Sequence, residues 1–269
     1  MQLNLDGDIQ KDEIELMVEQ YDKLAKLLNS NMSLLMSPIE FLMNRKPGVR
    51  RLEFNYDGCI LYDKDKPYIV IGDKNLKKVD YTFLSNSKND EFNFKTRKEY
   101  VYDMDYVLSL KGKKLKNLRN TYNKTKNNNL SIEISDDINI MFDIYEEWRK
   151  TVGKKYFQIH DTTLHKNYVK YWNKIKDYMI LVYLKDGDNY VGFSMFEKTD
   201  KDFIYSESRK VLTEYLEYTT FFHIECMKLL QLRKYKYMCD GGADKRGLSF
   251  YKQKFDPIII KTYTLVRKE

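Results

Sequence analysis

The stretch YMCDGGADKRGLSFYKQKFDP at positions 237–257 constrains the fold of this chain more than any other segment. It opens as a short apolar strand, breaks at Gly241 and Gly242 between Asp240 and Asp244, and continues as a short basic and aromatic helix. Pro257 stops that helix before the apolar run IIIKTYTLV. Strand, helix and strand in that order make a crossover that joins strands of one sheet.

Upstream, the apolar pattern alternates between the two periods of regular structure. Residues 130–134 read as a strand, and Asp136 or Asp137 caps a helix with Ile138, Met141, Phe142, Tyr145 and Trp148 on its apolar side. A second helix is expected over 164–175. Three strands follow, 178–184, 190–197 and 202–207, separated by 185–189 and 199–201, which predicts an antiparallel meander. A long helix over 215–232 leads into the closing crossover. From residue 130 to 269 the order β-α-α-β-β-β-α-β-α-β resembles that of a GNAT-type acyltransferase domain.

Before residue 130 the pattern is less regular. Residues 12–28 place Ile14, Met17, Val18, Tyr21, Leu24, Ala25 and Leu28 at helical spacing, so the chain is expected to open on an amphipathic helix. Segments 51–62 and 67–72 are rich in β-branched and aromatic residues and flank the turn 63–66, a hairpin signal. Residues 85–93, SNSKNDEFN, read as a polar loop.

Charge narrows the function classes. Forty-seven basic against forty acidic side chains in 269 residues leave a net +7, and the excess is concentrated. The segment KGKKLKNLRNTYNKTK at 111–126 holds Lys111, Lys113, Lys114, Lys116, Arg119, Lys124 and Lys126 and no acid. It is expected to form a basic helix with Leu115, Leu118 and Tyr122 as its buried stripe, and either to contact phosphates or to serve only as a solvated face. No run of eighteen apolar residues exists, and the acidic amino terminus does not fit a signal peptide, so a cytoplasmic protein without a transmembrane segment is expected. Cys59, Cys226 and Cys239 are too few and too scattered for a disulfide framework.

Two motifs carry a family resemblance. Residues 99–126, EYVYDMDYVLSLKGKKLKNLRNTYNKTK, resemble a segment of the phosphatidylglycerol lysyltransferase C-terminal-like family in which a Tyr-Asp strand end leads into an L-x-G-K-K-x-x-x-x-R-N helix. Residues 241–257 are similar to that family's closing G-L-x-x-x-K-x-x-F-x-P. The resemblance implies an α/β (α+β) architecture of tandem GNAT-like domains, with mixed, mostly antiparallel sheets flanked by helices. Its division would be a degenerate first domain over 1–105 with its leading helix, a basic connecting helix over 106–129, and a second domain over 130–269. It also implies kinship with the Fem-type aminoacyltransferases, hence aminoacyl-tRNA as co-substrate.

Coenzyme A is the alternative donor. Acetyl-CoA enzymes of this superfamily present a glycine-rich loop to the pyrophosphate, whereas the corresponding stretch here, 209–216, reads RKVLTEYL. It has no glycine, and Glu214 and Glu217 stand near the helix start. An aminoacyl ester is already activated, so the enzyme needs to hold the donor, orient the attacking group and stabilise the oxyanion. Four residues are candidates. Glu207 ends a central strand and is suited to accept a proton or anchor an amino group. Asp240 precedes the double glycine where a GNAT sheet splays. Lys252, retained in the family pattern, is suited to a phosphate or the oxyanion, and Tyr251 to proton transfer. His160 and His165 have no zinc-ligand spacing, no metal is expected, and His223 reads as a core histidine.

The leading expectation is therefore a soluble acyltransferase moving an aminoacyl group from aminoacyl-tRNA to an amine or hydroxyl, with Lys111, Lys113, Lys114, Lys116, Arg119 and Lys124 on the tRNA. A coenzyme A-dependent N-acyltransferase and a non-catalytic RNA-binding module of the same fold are the alternatives.

Overall fold

The computed structural model describes residues 92–126, 129–153, 159–198, 202–243 and 245–267, together with 2–3, 39, 50–55, 58–63 and 66–72. The helix expected over 12–28 and most of the loop expected over 85–93 lie outside the described residues, as does much of the stretch 1–105.

Four amino-terminal strands, β1 (Gln2–Leu3), β2 (Arg50–Asn55), β3 (Gly58–Asp63) and β4 (Lys66–Gly72), form an antiparallel sheet in sequence order. The expected hairpin is β3 with β4. Its first arm, read from sequence as one run over 51–62, is instead two strands, with Arg50 paired to Asp63 and Asn55 to Gly58. The residues between them in sequence are Tyr56 and Asp57.

The rest of the chain runs β5 (Phe92–Asp103), α1 (Met104–Ser109), α2 (Lys116–Thr125), β6 (Leu130–Ile134), α3 (Ile138–Trp148), a π-helical turn at Arg149–Gly153, and α4 (Ile159–Ile175). It continues as β7 (Met179–Asp186), β8 (Asn189–Lys198), β9 (Phe203–Val211), α5 (Thr219–Leu232), β10 (Tyr237–Gly242), α6 (Arg246–Gln253) and β11 (Ile258–Arg267). The strands after residue 90 make one seven-stranded sheet in the order β11-β5-β10-β9-β8-β7-β6. Every neighbouring pair is antiparallel except β9 with β10, which α5 connects as a crossover. β5 precedes the basic segment in sequence, yet it lies between β10 and β11, with Met238 opposite Tyr102 and Ile258 opposite Val101.

Local chemistry sets several boundaries. Asp137 is the residue that caps α3, its carboxylate accepting from the Asn139 N–H, and Ile138, Met141, Ile144 and Tyr145 form the buried stripe behind it. The basic segment is a turn followed by a helix rather than one helix over 111–126. Leu110 and Gly112 adopt φ of 50° and 81°, which ends α1 and delays α2 to Lys116. The long helix expected over 215–232 begins as a 3₁₀ segment at Thr213–Tyr218 and becomes α-helical at Thr219.

The sheet is covered on both faces. α3 and α4 pack Met141, Tyr145, Tyr168 and Trp172 against Leu181, Tyr183, Phe193 and Met195. On the other face α1, α2 and α5 bury Met104, Leu118, Phe222 and Met227 against Tyr102, Val182, Ile204 and Met238, with Phe255 filling the corner after α6. No helix among the described residues is long and apolar enough to cross a membrane.

Candidate active site

The parallel pairing of β9 and β10 lasts for only three residues, ending where Tyr205 meets Cys239. Beyond that point the two strands separate, and each carries an extra residue relative to its other neighbour. On β9, Met195 is opposite Ser208 while Phe196 is opposite Ser206, so Glu207 is the bulged position. On β10, Cys239 is opposite Val101 and Gly242 opposite Glu99, so three steps on β10 face two on β5 across Asp240 and Gly241. Gly241 holds φ of 62°, a left-handed geometry that glycine adopts without penalty.

The bulges redirect the side chains beside the split. A regular strand would put 206 and 208 on one face. Here Ser206 and Arg209 share the α5 face, Arg209 Nη2 donating to Ser206 Oγ at 3.2 Å, while Ser208 meets His165 Nε2 at 3.0 Å on the α4 face. Asp240 faces Arg209 and α6.

A buried polar cluster fills that side of the split. Arg209 Nη2 donates to Asp240 Oδ1 at 3.5 Å and Lys252 Nζ lies 3.5 Å from Asp240 Oδ2. Tyr102 hydroxyl, from β5, also donates to Oδ2 at 3.3 Å. Lys252 Nζ donates in addition to the carbonyl of Asp240 and to that of Gly242 at 2.9 Å, clamping the β10 bulge. Arg209 Nη1 stands 2.9 Å from His223 Nδ1, and the Tyr251 hydroxyl reaches the same nitrogen at 3.1 Å and the Thr219 carbonyl at 3.3 Å. Phe255 and Tyr102 pack on the imidazole, with ring centroids 4.4 and 5.5 Å away.

Charge in the cluster follows from these contacts. Burial pushes the Asp240 carboxyl up, but Lys252 and then Arg209 outweigh it and hold the group well below the usual carboxylate range. Burial, reinforced by Arg209, pushes His223 far below its ordinary value, so the ring is neutral. A guanidinium only donates, so Nδ1 of His223 is an acceptor and the ring proton sits on Nε2. Burial raises both Tyr251 and Tyr102, which keep their protons. The Cys226 thiol is pushed up to about 12 by the same burial and is inert.

Of the residues singled out from sequence, Asp240, Tyr251 and Lys252 meet in this cluster. Glu207 does not join them. It is half-buried on the opposite face, where its Oε2 accepts from the Tyr168 hydroxyl of α4 at 3.3 Å. Arg209, Tyr102 and Ser206 complete the cluster and were not candidates, and His223, read from sequence as a core histidine, joins them. His223 sits on an apolar helix and Tyr102 on a strand almost 140 residues from Asp240, and neither carries a local motif that advertises a site.

The basic residues are unequal. Lys111, Lys113, Lys114, Lys116 and Lys124 are exposed. Arg119 is half-buried and spends Nη1 on the Leu110 carbonyl at 2.6 Å, fastening the turn before α2. Lys114 pairs with Asp256 at 3.2 Å, and Tyr106 donates to the same carboxylate at 2.8 Å. Since Asp256 follows α6, the basic turn is anchored at the end of the helix that carries Tyr251 and Lys252. Among the described residues no group of three His, Cys, Asp or Glu side chains is placed to hold a metal ion.

Comparison with known proteins places this geometry in a family. The family model described as "Phosphatidylglycerol lysyltransferase, C-terminal" matches residues 91–238, from the start of β5 to the first residues of β10. A search of the curated proteins finds no match. Among solved structures, a conserved protein of unknown function from Bacteroides thetaiotaomicron superposes with a TM-score of 0.69 at 14% identity, covering 97% of this chain and 98% of that one. L-PGS from Bacillus licheniformis gives 0.62 at 14% identity, covering 99% and 94%. FemX gives 0.61 at 10% identity, covering 100% and 97%. At these identities the likeness is one of fold: a GNAT-like, mixed and mostly antiparallel open sheet flanked by helices.

Proposed function

The chain belongs to the phosphatidylglycerol lysyltransferase C-terminal family, and from that premise we propose that it is an aminoacyltransferase that takes its acyl group from aminoacyl-tRNA and passes it to an amine or hydroxyl. Family membership supports acyl transfer. The observation that carries the finer reading is the contact of Lys114 and Tyr106 with Asp256, which sets an acid-free basic turn at the end of the catalytic-cluster helix. Phosphates held by Lys111, Lys113 and Lys116 would lie beside the cluster to which a charged 3′ end must be delivered.

The chemistry suits the residues. The attacking nitrogen or oxygen bonds to the ester carbonyl carbon, the bond from that carbon to the ribose oxygen breaks, and the proton lost by the attacking group ends on the departing ribose hydroxyl. The ester is already activated, so no side-chain nucleophile is required. Tyr251 retains its proton and is suited to deliver one to the ribose oxygen. Asp240 is a weak base between two cations, and its part is to hold Arg209 and Lys252 in place.

Coenzyme A fits less well. The approach to α5 is a 3₁₀ segment without glycine, with Glu214 and Glu217 exposed on it, where a pyrophosphate would need N–H donors and positive charge. The test is to incubate the protein with tRNAs charged with radiolabelled amino acids and an extract of its own host, following label that leaves tRNA. Protein-dependent movement of one amino acid into a stable product is expected. No movement from any charged tRNA, with a melting temperature raised by coenzyme A, would overturn the reading.

A further inference from the structure

Phe250 is 67% exposed, the most exposed aromatic side chain among the described residues, and it stands on the helix that carries Tyr251 and Lys252. α6 turns two faces to its surroundings. Leu248, Tyr251 and Lys252, at i, i+3 and i+4, share the inner one, and Arg246, Phe250 and Lys254, at i, i+4 and i+8, share the outer one. Lys254 keeps helical geometry as the C-cap, and its Nζ lies 5.5 Å from the Phe250 ring centroid. The run 245–254, KRGLSFYKQK, holds Lys245, Arg246, Lys252 and Lys254 and no acid. The acids nearest to it in sequence are Asp244, outside the described residues, and Asp256, which Lys114 and Tyr106 engage.

The inner face shows where the cluster meets solvent. Lys252 is 6% exposed, whereas Leu248, one turn earlier on the same face, is 44% exposed. Cover over the cluster therefore ends at the first turn of α6, and a substrate long enough to reach from the cluster back to the surface emerges beside Arg246 and Phe250. Exposed Lys245 and Arg246 stand at the start of the helix, Lys254 at its end, and the basic turn is fastened just beyond through Lys114 and Asp256. A phosphate backbone laid along α6 meets positive charge at both ends and an aromatic ring between them.

We propose that Phe250 is a stacking platform for an unpaired base of the donor RNA's 3′ end, with Arg246 and Lys254 on the phosphates to either side, so that the terminal ester is led past Leu248 to the cluster. The donor's part in this rests on the aminoacyl-tRNA reading above, whereas the platform rests on the exposure of Phe250, its flanking cations and its place on the cluster helix. A phenyl ring takes any base, because every base has a π-face, and the cations supply affinity for the backbone. An aromatic side chain placed for a lipid surface belongs to a broad apolar stripe. The outer face of α6 instead sets one aromatic ring between two cations, with exposed Gln253 beside it. Ile258 and Ile259 are exposed as well, but they open β11 beyond Asp256 and Pro257.

The test begins with binding. A dye-labelled single-stranded RNA ending in CCA is titrated with the protein by fluorescence anisotropy, against the same RNA annealed to its complement. The wild-type protein is expected to prefer the single strand. Phe250→Ala should weaken that binding about tenfold at every salt concentration, Phe250→Trp should restore it, and both should melt with wild type because the side chain is exposed. Arg246→Gln and Lys254→Gln should instead each lower the salt slope by up to about 0.7. No preference for the single strand, or equal binding by Phe250→Ala, overturns the platform. Phe250-dependent sedimentation with phosphatidylglycerol vesicles, or self-association lost in Phe250→Ala, with RNA binding unaltered, would give the patch to a lipid surface or to a second copy and overturn it too. In the transfer assay Phe250→Ala is expected to raise KM for charged tRNA about tenfold with kcat nearly unchanged. RNA binding that depends on Phe250 in a protein that transfers nothing would leave the platform standing and remove the aminoacyl reading. Transfer from tRNA with a KM indifferent to Phe250→Ala would do the reverse.

Discussion

Arg209 and His223 approach to 2.9 Å through a guanidinium nitrogen and imidazole Nδ1, a contact in which only one partner can donate. The arginine decides the tautomer of the histidine, and the β9 bulge at Glu207 decides the position of the arginine. A one-residue irregularity in strand register is thus converted into a proton position on a helix across the core. The neutral ring then stands between a hydroxyl that keeps its proton, Tyr251, and a carboxylate that has lost it, Asp240.

The first prediction concerns that neutral ring. Unfolded, His223 takes up a proton near its ordinary pKa of about 6.5, while folded it resists until much lower pH. The unfolded state therefore binds more protons below about 6.5, and stability falls as pH falls, by up to about 1.4 kcal/mol per pH unit from this group. Urea unfolding of wild type and His223→Gln from pH 7.5 to 5 measures it. The wild-type slope should exceed the variant's, and equal slopes would mean that the folded ring titrates normally.

Asp240 obeys the opposite sign. Its folded pKa is depressed, so its contribution is complete above the unfolded value of about 3.9 and is lost as pH falls through the folded one. Asp240→Asn leaves two buried cations facing a neutral amide and should cost about 3–5 kcal/mol at pH 7. The gap between variant and wild type should narrow below pH 4. A variant as stable as wild type at pH 7 would remove Asp240 from the centre of the cluster.

Gly241 and Gly247 make a matched pair of substitutions. Alanine at 241 must hold φ near 62°, which costs about 1–2 kcal/mol and loosens the bulge that aims Asp240. Alanine at 247 meets nothing within 4 Å and lies in α6, where it is a better helix former than glycine by about 1 kcal/mol. Denaturant midpoints should move in opposite directions. A Gly241→Ala protein with an unchanged midpoint would show that the bulge does not need the left-handed residue.

Much of the carboxy-terminal sheet was legible because its elements are local. Strands 130–134 and 190–197 and the Asp137 cap need only the period of the apolar residues and one capping side chain. The insertion of β5 between β10 and β11 was not legible, since it pairs residues 134 to 175 positions apart and no periodicity records partners. The cluster divides the same way. Asp240, Tyr251 and Lys252 lie in one motif of the closing crossover, whereas Tyr102 arrives with the inserted strand and His223 resembles any buried helical residue. Glu207 reads from sequence as a strand end beside Arg209, whereas β9 continues to Val211 and the bulge parts Glu207 from Arg209, leaving it on the other face.

The basic segment separates affinity from folding. Lys111, Lys113, Lys116 and Lys124 are exposed, so exchanging all four for Gln should leave the melting temperature nearly unchanged. If they lie on RNA phosphates, each contact removed lowers the slope of log affinity against log salt by up to about 0.9. Arg119→Gln is a different experiment, because Arg119 fastens the turn through the Leu110 carbonyl and its loss frees the segment that Lys114 anchors to Asp256. That variant should bind RNA less well and also melt at lower temperature. Salt titrations of tRNA binding, with thermal melts of the same preparations, check both. A four-lysine variant whose salt slope equals that of wild type would assign the segment to solvation of the surface and detach the RNA from the cluster it is proposed to serve.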